Sequence, residues 1–338
     1  MRHRPTLLVI TTGGTIASRI DPTTGSAIPA AHAHELLDAV PQLQQLADCT
    51  THEFALIGSW NMTPTMHLEL ATTIASILRR DSFDGIIVTH GTDTLEETAF
   101  ALDLLLDIDI PVVLTGAMLP SGSVGSDGPR NLVDAARVAL HPSARRLGVL
   151  VTFAGQIHAA RWVTKTDSTA ITAFASPNFG PVGRLDDDNI VIWSHRTWPK
   201  IYLTPTNPPP NVLLIKMAAG ITPVPYKVLL ESGYAIHGIV IEAFGSGNLY
   251  FEWDSFLEVC ASRAIPVVVT TRCLSGPLTF SYGGAGGGQK IREYVIPAPY
   301  VSGPKARLAL LFALMSGYAF DDLRTLFAKL VPSPSLHQ

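Results

Sequence analysis

Thr6-Leu7-Leu8-Val9-Ile10-Thr11-Thr12-Gly13-Gly14-Thr15-Ile16 runs from an apolar stretch straight into a double-glycine turn flanked by threonines. Such an all-apolar run, with β-branched members, reads as a strand over Thr6–Thr11 buried on both faces, the habit of a parallel sheet covered by helices. The pattern returns at Ile86-Ile87-Val88-Thr89-His90-Gly91-Thr92-Asp93-Thr94, which predicts a strand over Gly85–Thr89. Both turns then sit where strands end, the edge at which open α/β sheets bind ligands. Glycine lets backbone approach a small ligand closely, so the two turns read as two walls of one site for something small and polar.

Outward from these turns, short β-branched runs alternate with amphipathic stretches, and the fold class is α/β with a parallel sheet. Further strands are expected at Pro111–Thr115, Gly148–Phe153, Val212–Met217, Gly238–Ala243 and Pro266–Thr271. Helices are expected at Pro64–Arg80, Leu95–Leu106, Pro129–Leu140, Val224–Glu231, Phe251–Arg263 and Lys305–Met315. Asp127 is placed to cap one of these, with Pro129 in its first turn, and Glu252 and Asp254 load the start of another with negative charge. A chain of 338 residues is long for one core, which predicts two domains. The prolines at 199, 205 and 208–210 sustain neither helix nor central strand. They divide the chain into a large N-terminal catalytic α/β domain over 1–197, a proline-rich linker over 198–211 and a smaller C-terminal α/β domain over 212–338. Ser18–Pro29 is expected to be a lid or a plain surface loop, and Gly283–Gly288 a flexible connector.

Composition removes several functions. A net charge of −4 offers no basic stripe for nucleic acid and no polybasic surface for lipid, and no stretch approaches a membrane span. Cys49, Cys260 and Cys273 are odd in number and lack C-x-x-C spacing, which supports neither a disulfide framework nor a zinc cluster. Met1–Pro5 is basic, yet no convincing cleavage site follows, so a cytoplasmic location is expected. The histidines lack zinc-helix spacing, and no metal is expected. The glycine run at 283–288 lacks the Gly-Lys-Ser/Thr ending, and Gly245-Ser246-Gly247-Asn248-Leu249-Tyr250 carries tyrosine where a dinucleotide fingerprint needs its third glycine. No cofactor is expected.

No Gly-x-Ser-x-Gly elbow and no cysteine beside a base are present, which leaves threonines as nucleophiles. A threonine hydroxyl attacks at neutral pH only with a base in hydrogen-bond reach. Lys165, in Val163-Thr164-Lys165-Thr166-Asp167 after the fourth strand, is the candidate; burial would lower its pKa and Asp93 would raise it. His90 could orient Thr92 or Asp93, or serve the fold.

The chain resembles the bacterial-type L-asparaginase family. Thr12-Gly13-Gly14-Thr15-Ile16-Ala17 and Thr89-His90-Gly91-Thr92-Asp93-Thr94 with Glu96-Glu97-Thr98-Ala99 look like its two signatures. Ile57-Gly58-Ser59, Thr115-Gly116-Ala117-Met118, Ser126-Asp127-Gly128-Pro129, Val163-Thr164-Lys165-Thr166, Gly247-Asn248 and Pro304-Lys305-Ala306-Arg307 follow the family's order over nearly the whole chain. The resemblance implies hydrolysis of L-asparagine to L-aspartate and ammonia through a β-aspartyl ester, without metal or organic cofactor. It implies a homotetramer of two intimate dimers, or a dimer. Thr15 would be the nucleophile, and Thr92, Asp93 and Lys165 the second catalytic group. Gly58, Ser59, Trp60, Gly91, Thr92, Asp93, Ala117, Met118 and Asn248 would surround the substrate.

Departures from the family matter as much. Ser18–Pro29 holds no tyrosine where most members have one, which leaves open whether Thr23, Thr24 or Ser26 relays a proton from Thr15. Trp60 replaces a glutamine, and its bulk predicts a preference for asparagine over glutamine. Tyr282, in Thr279–Gly283, is the polar group where secreted members bring an acidic residue across the subunit interface. Two other functions share these motifs: an amino-acid-binding sensor that has lost turnover, and a glutaminase or amidotransferase subunit that frees ammonia for transfer-RNA amidation.

Overall fold

The protein is described by a computed structural model covering residues 4–20, 23–24, 27–29, 32–187, 189–193 and 198–331. The chain separates into two compact units, 1–196 and 197–338.

The first unit opens with β1 (Thr6–Gly13), followed by β2 (Ser18–Ile20) and β3 (Ala27–Pro29), which pair as an antiparallel hairpin. Then come α1 (Ala33–Asp38), α2 (Pro41–Leu46), β4 (Asp48–Ile57), α3 (Pro64–Leu78), β5 (Gly85–Thr89), α4 (Leu95–Leu105), β6 (Val112–Thr115) and α5 (Gly128–Ala139). The unit closes with β7 (Val149–Phe153), β8 (Gln156–Ala159), β9 (Thr164–Lys165), β10 (Phe174–Ala175), β11 (Gly183–Asp186) and β12 (Asn189–Ile192). Eight strands form one sheet in the order β12-β11-β8-β7-β6-β5-β1-β4. From β4 to β7 all neighbours are parallel, whereas β8, β11 and β12 extend the sheet antiparallel. The central strands are buried along their whole length, as near-continuous apolar runs between helical layers must be.

Two placements prepare the site. β1 leads on to β4 at one side while its other neighbour, β5, leads on to β6 at the opposite side, so the connections leaving β1 and β5 diverge, the topological position at which α/β sheets open a crevice. Register then aligns Thr11 with Thr89 and Thr89 with Thr115, so three threonines stand abreast where β1, β5 and β6 end. The pairing of β1 with β4 slips between Thr11 and Gly13, bringing Gly13 opposite Ile57, and a bulge of this kind re-aims the residues beyond it.

β4 is half-exposed along its length and polar over its first part, with Asp48, Thr50, Thr51, His52 and Glu53 ahead of the short apolar end Phe54–Ile57, the composition of an edge strand. Sequence periodicity misses it for that reason, and misses the short antiparallel extension too. Asp127 makes no cap to α5, contrary to expectation. Its carboxylate instead accepts the N–H groups of Met118 and Leu119 at 2.9–3.1 Å and the Asn131 amide at 3.0 Å. The stronger competitors are backbone donors of a turn with no ladder partner.

The second unit contains β13 (Val212–Lys216), α6 (Val224–Glu231), β14 (Gly238–Ala243), α7 (Trp253–Ser262), β15 (Val267–Thr271), α8 (Gly288–Ile291), β16 (Ile296–Pro297), α9 (Gly303–Met315) and α10 (Phe320–Lys329). Its four strands are all parallel and neighbours in chain order. Residues 198–211 form no helix or strand, and the N–H groups of Thr206 and Asn207 bind the Met315 carbonyl. Of Gly283–Gly288, residues 283–285 are exposed, but 286–288 are buried and are no loose connector. The Gly286 N–H donates to Asp254, the Gly288 N–H donates to Asn248 Oδ1 at 3.0 Å, and Gly288 begins α8. A Cβ at Gly286 would meet the Leu249 carbonyl oxygen at 2.3 Å and one at Gly288 the Phe280 ring at 2.8 Å, so the glycines there serve close packing.

Candidate active site

Gly14 and Gly91, 77 positions apart, meet backbone to backbone. A Cβ built on Gly14 would stand 2.3 Å from both Cα and N of Gly91, and one on Gly91 would stand 2.7 Å from Ser59 Oγ. Only residues without side chains allow that approach. The Gly14 N–H donates to the Ile57 carbonyl at 3.1 Å, and Thr12 Oγ1 donates to the Thr89 carbonyl at 3.0 Å. The turns after β4, β1 and β5 are thereby joined, and Thr15, Ser59 and Thr92 stand at their tips.

Thr15 opens a single 3-10 turn, Thr15–Ala17, behind Gly14. Among the described residues its hydroxyl makes no hydrogen bond. Thr92 is buried to 7% exposure and accepts from Lys165 Nζ at 2.9 Å, while the same ammonium reaches Asp93 Oδ1 at 2.8 Å. Lys165 does not come directly from the fourth predicted strand. The chain first returns along β8, and the β9–β10 hairpin then presents it, with Lys165 opposite Phe174. Its backbone N–H donates to the buried carboxylate of Glu96 at 2.6 Å. Glu96 lies in the first turn of α4; its place in the second signature was visible, but its anchoring of Lys165 was not.

Ser59 Oγ accepts the Asp93 N–H at 3.2 Å, and the Ser59 carbonyl accepts from Thr94 Oγ1 at 2.7 Å. Thr94, at the N-cap of α4, makes no cap with its side chain, because its hydroxyl is committed to Ser59. A hydroxyl that accepts at its oxygen still has its proton to donate, so Ser59 can offer that proton to an anionic group. Trp60 is 69% exposed, and its indole lies over Gly58, where a Cβ would stand 2.3 Å from the ring.

The third wall is Gly116-Ala117-Met118 after β6. Asn131 Nδ2 donates to the Gly116 carbonyl at 3.0 Å and Asp127 holds the N–H groups of Met118 and Leu119. A Cβ on Gly128 would fall 3.1 Å from Ile16 and 3.4 Å from the Ala117 methyl, which sets this wall beside the Thr15 turn. Asn248 lies in the second unit, where its side-chain oxygen is taken by the Gly288 N–H. Tyr282 is exposed. The expected lid is a β2–β3 hairpin in backbone, but Asp21, Pro22, Gly25 and Ser26 lie outside the described residues. Among the described residues no group of histidine, cysteine and carboxylate side chains could hold a metal ion, and no helix is long and apolar enough to cross a membrane.

His90 turns away from Asp93. Its Nδ1 lies 2.8 Å from the Gly91 carbonyl oxygen and its Nε2 2.9 Å from Thr98 Oγ1. Complete burial pushes its pKa down to about 4, so the ring is uncharged at neutral pH.

The family described as Asparaginase, N-terminal matches residues 6–198, and the Glutaminase/Asparaginase C-terminal domain matches 211–327. A probable L-asparaginase of Deinococcus radiodurans is 39% identical over 96% of this chain and 98% of that protein. L-asparaginase 2 of Escherichia coli is 36% identical over 81% of this chain and 80% of that protein. The crystal structure of a probable cytoplasmic L-asparaginase from Campylobacter jejuni superposes with a TM-score of 0.87 at 31% identity, covering 96% of this chain and all of that one.

Proposed function

The chain belongs to the asparaginase family, and from that premise we propose that it hydrolyses the side-chain amide of L-asparagine to L-aspartate and ammonia. The observation that carries the assignment is the Lys165–Thr92–Asp93 cluster, with Nζ 2.9 Å from Thr92 Oγ1 and 2.8 Å from Asp93 Oδ1, on the turn that touches the turn bearing Thr15. In this mechanism the Thr15 oxygen attacks the amide carbon and the C–N bond breaks, with ammonia leaving and a β-aspartyl ester remaining. Water then cleaves that ester, releasing aspartate and restoring the Thr15 hydroxyl. With Lys165 donating to its oxygen, Thr92 gives its own proton to the leaving nitrogen, the ammonium stabilises the alkoxide so formed, and the proton that Thr15 loses on attack restores the Thr92 hydroxyl. Ser59 donates to the substrate carboxylate, and Asp93 accepts from the substrate ammonium. Backbone N–H groups of the glycine turns other than that of Gly14 would supply donors for the developing oxyanion, worth a few kcal/mol when aligned.

Ammonia release from L-asparagine, compared with L-glutamine, is the test, with Thr15→Ala and Lys165→Met alongside. The proposal requires release that falls at least about a hundredfold in each variant, the scale for removing a nucleophile or its partner, and a preference for asparagine with Trp60 beside Ser59. Saturable aspartate binding with no ammonia over hours would instead favour the sensor. A cytoplasmic location and a homotetramer or dimer complete the proposal, supported by the Campylobacter relative's description and by family membership; light scattering on the purified protein decides the assembly.

A further inference from the structure

Beneath the second glycine turn, three buried side chains from three elements join end to end. His90 Nδ1 meets the Gly91 carbonyl oxygen at 2.8 Å, His90 Nε2 meets Thr98 Oγ1 at 2.9 Å, and Thr98 Oγ1 meets His67 Nε2 at 3.0 Å. His67 comes from α3 and Thr98 from α4, and none of the three is more than 2% exposed. The proton positions follow in order. A carbonyl only accepts, so His90 carries its proton on Nδ1, and its Nε2 must accept from the Thr98 hydroxyl. Thr98, its proton spent, receives the Nε2–H of His67. The chain ends at His67 Nδ1, buried and without a hydrogen-bond partner. An apolar side chain would fill that space without an orphaned acceptor, so the polar chain is not explained by packing. What it delivers is one fixed direction for one carbonyl.

We propose that His67, Thr98 and His90 are positioning residues that lock the Gly91–Thr92 peptide plane, holding its carbonyl toward the protein interior and the Thr92 N–H toward the site. The inference rests on the reading that Thr92 takes part in the reaction. The peptide is trans, so fixing the carbonyl fixes the N–H on the opposite side. A plane bordered by glycine rotates easily unless held, and rotation would carry Thr92 away from its 2.9 Å contact with Lys165.

Thr98→Val keeps the shape of the side chain and removes both links, while Thr98→Ser keeps them. We expect kcat for ammonia release from asparagine to fall about tenfold in Thr98→Val, the scale of a sub-ångström misplacement, to return to within about twofold in Thr98→Ser, and KM to change less than about threefold. A Thr98→Val protein that melts at lower temperature with unchanged kcat would reduce the chain to a structural role and overturn the proposal. Lys165→Met separates the layers: loss of turnover there without loss in Thr98→Val sinks only the positioning chain, whereas full turnover in Lys165→Met sinks the premise beneath it. Nitrogen-15 NMR of the unaltered protein at pH 7 supplies a readout independent of folding in the variants. A His90 resonance pair showing Nδ1–H supports the chain, and an Nε2–H tautomer overturns it.

Discussion

Adding one methyl group at Gly14 tests the convergence of the two turns more directly than removing a reactive side chain. A Cβ there would stand 2.3 Å from two Gly91 backbone atoms and 2.9 Å from the His90 carbonyl carbon. Ordinary contact begins near 3.4 Å, and backbone cannot swing aside, so the turns must part by about 1 Å. Gly14 also holds φ 80° and ψ −175°, a region essentially closed to other residues and costing of order 1–3 kcal/mol. A displacement of about 1 Å between reacting groups is worth on the order of 100-fold in rate. Gly14→Ala should therefore lose at least about a hundredfold in kcat/KM for ammonia release and several degrees in melting temperature. Gly220→Ala is the control: its φ is also 80° but a Cβ there meets nothing within 4 Å, so it should cost some stability and no activity. A Gly14→Ala protein within about threefold of the parent would refute the convergence of the Thr15 and Thr92 turns.

Asp127→Ala should orphan the N–H groups of Met118 and Leu119 and loosen the Ala117 wall, costing about 2–3 kcal/mol in urea unfolding; a loss below about 0.5 kcal/mol would contradict the anchoring described. Acid should destabilise the protein through His90 and His67, whose pKa values burial pushes down to about 4 and about 3 from 6.5, with His90 adding to the shift of His67. Between those values the unfolded chain binds more protons, so the stability is fully present above about pH 6.5 and is lost as pH falls. By pH 5 each ring has withdrawn about 2 kcal/mol. Melting temperature measured from pH 7 to pH 5 should fall steeply, less so in His67→Leu, and a flat profile would mean the rings are not held neutral. Dialysis against a chelator should leave turnover unchanged; a loss restored by a divalent cation would require a metal in the mechanism.

Much of the fold was legible because β1, β5, β6 and β7 are buried on both faces and so are written as unbroken apolar runs. β4 was not, since an edge strand bearing Asp48, His52 and Glu53 satisfies its backbone without apolar periodicity. Of the site, the two threonine turns and Lys165 could be read from residue type and position. That they meet follows from the slot of β1 between β4 and β5, which is a property of strand order and has no local signal. Glu96 and Thr98 were hidden differently: on α4 they look like ordinary members of a helix start, and only the tertiary packing gives one to Lys165 and the other to His90.

The six-residue run from Gly283 to Gly288 carries a practical warning for anyone cutting, tagging or permuting this enzyme. By composition it is the obvious hinge at which to splice in a reporter or expect a protease to nick. In its second half the amides of Gly286 and Gly288 are instead claimed by Asp254 and Asn248, and the backbone beside them lies too near for a single added carbon at either glycine. An insertion there would unseat α8 and the asparagine that holds it. The bends at Gly220 and Gly233, where an added carbon meets nothing within 4 Å, are the joints at which foreign sequence can be grafted with the smaller unit left standing.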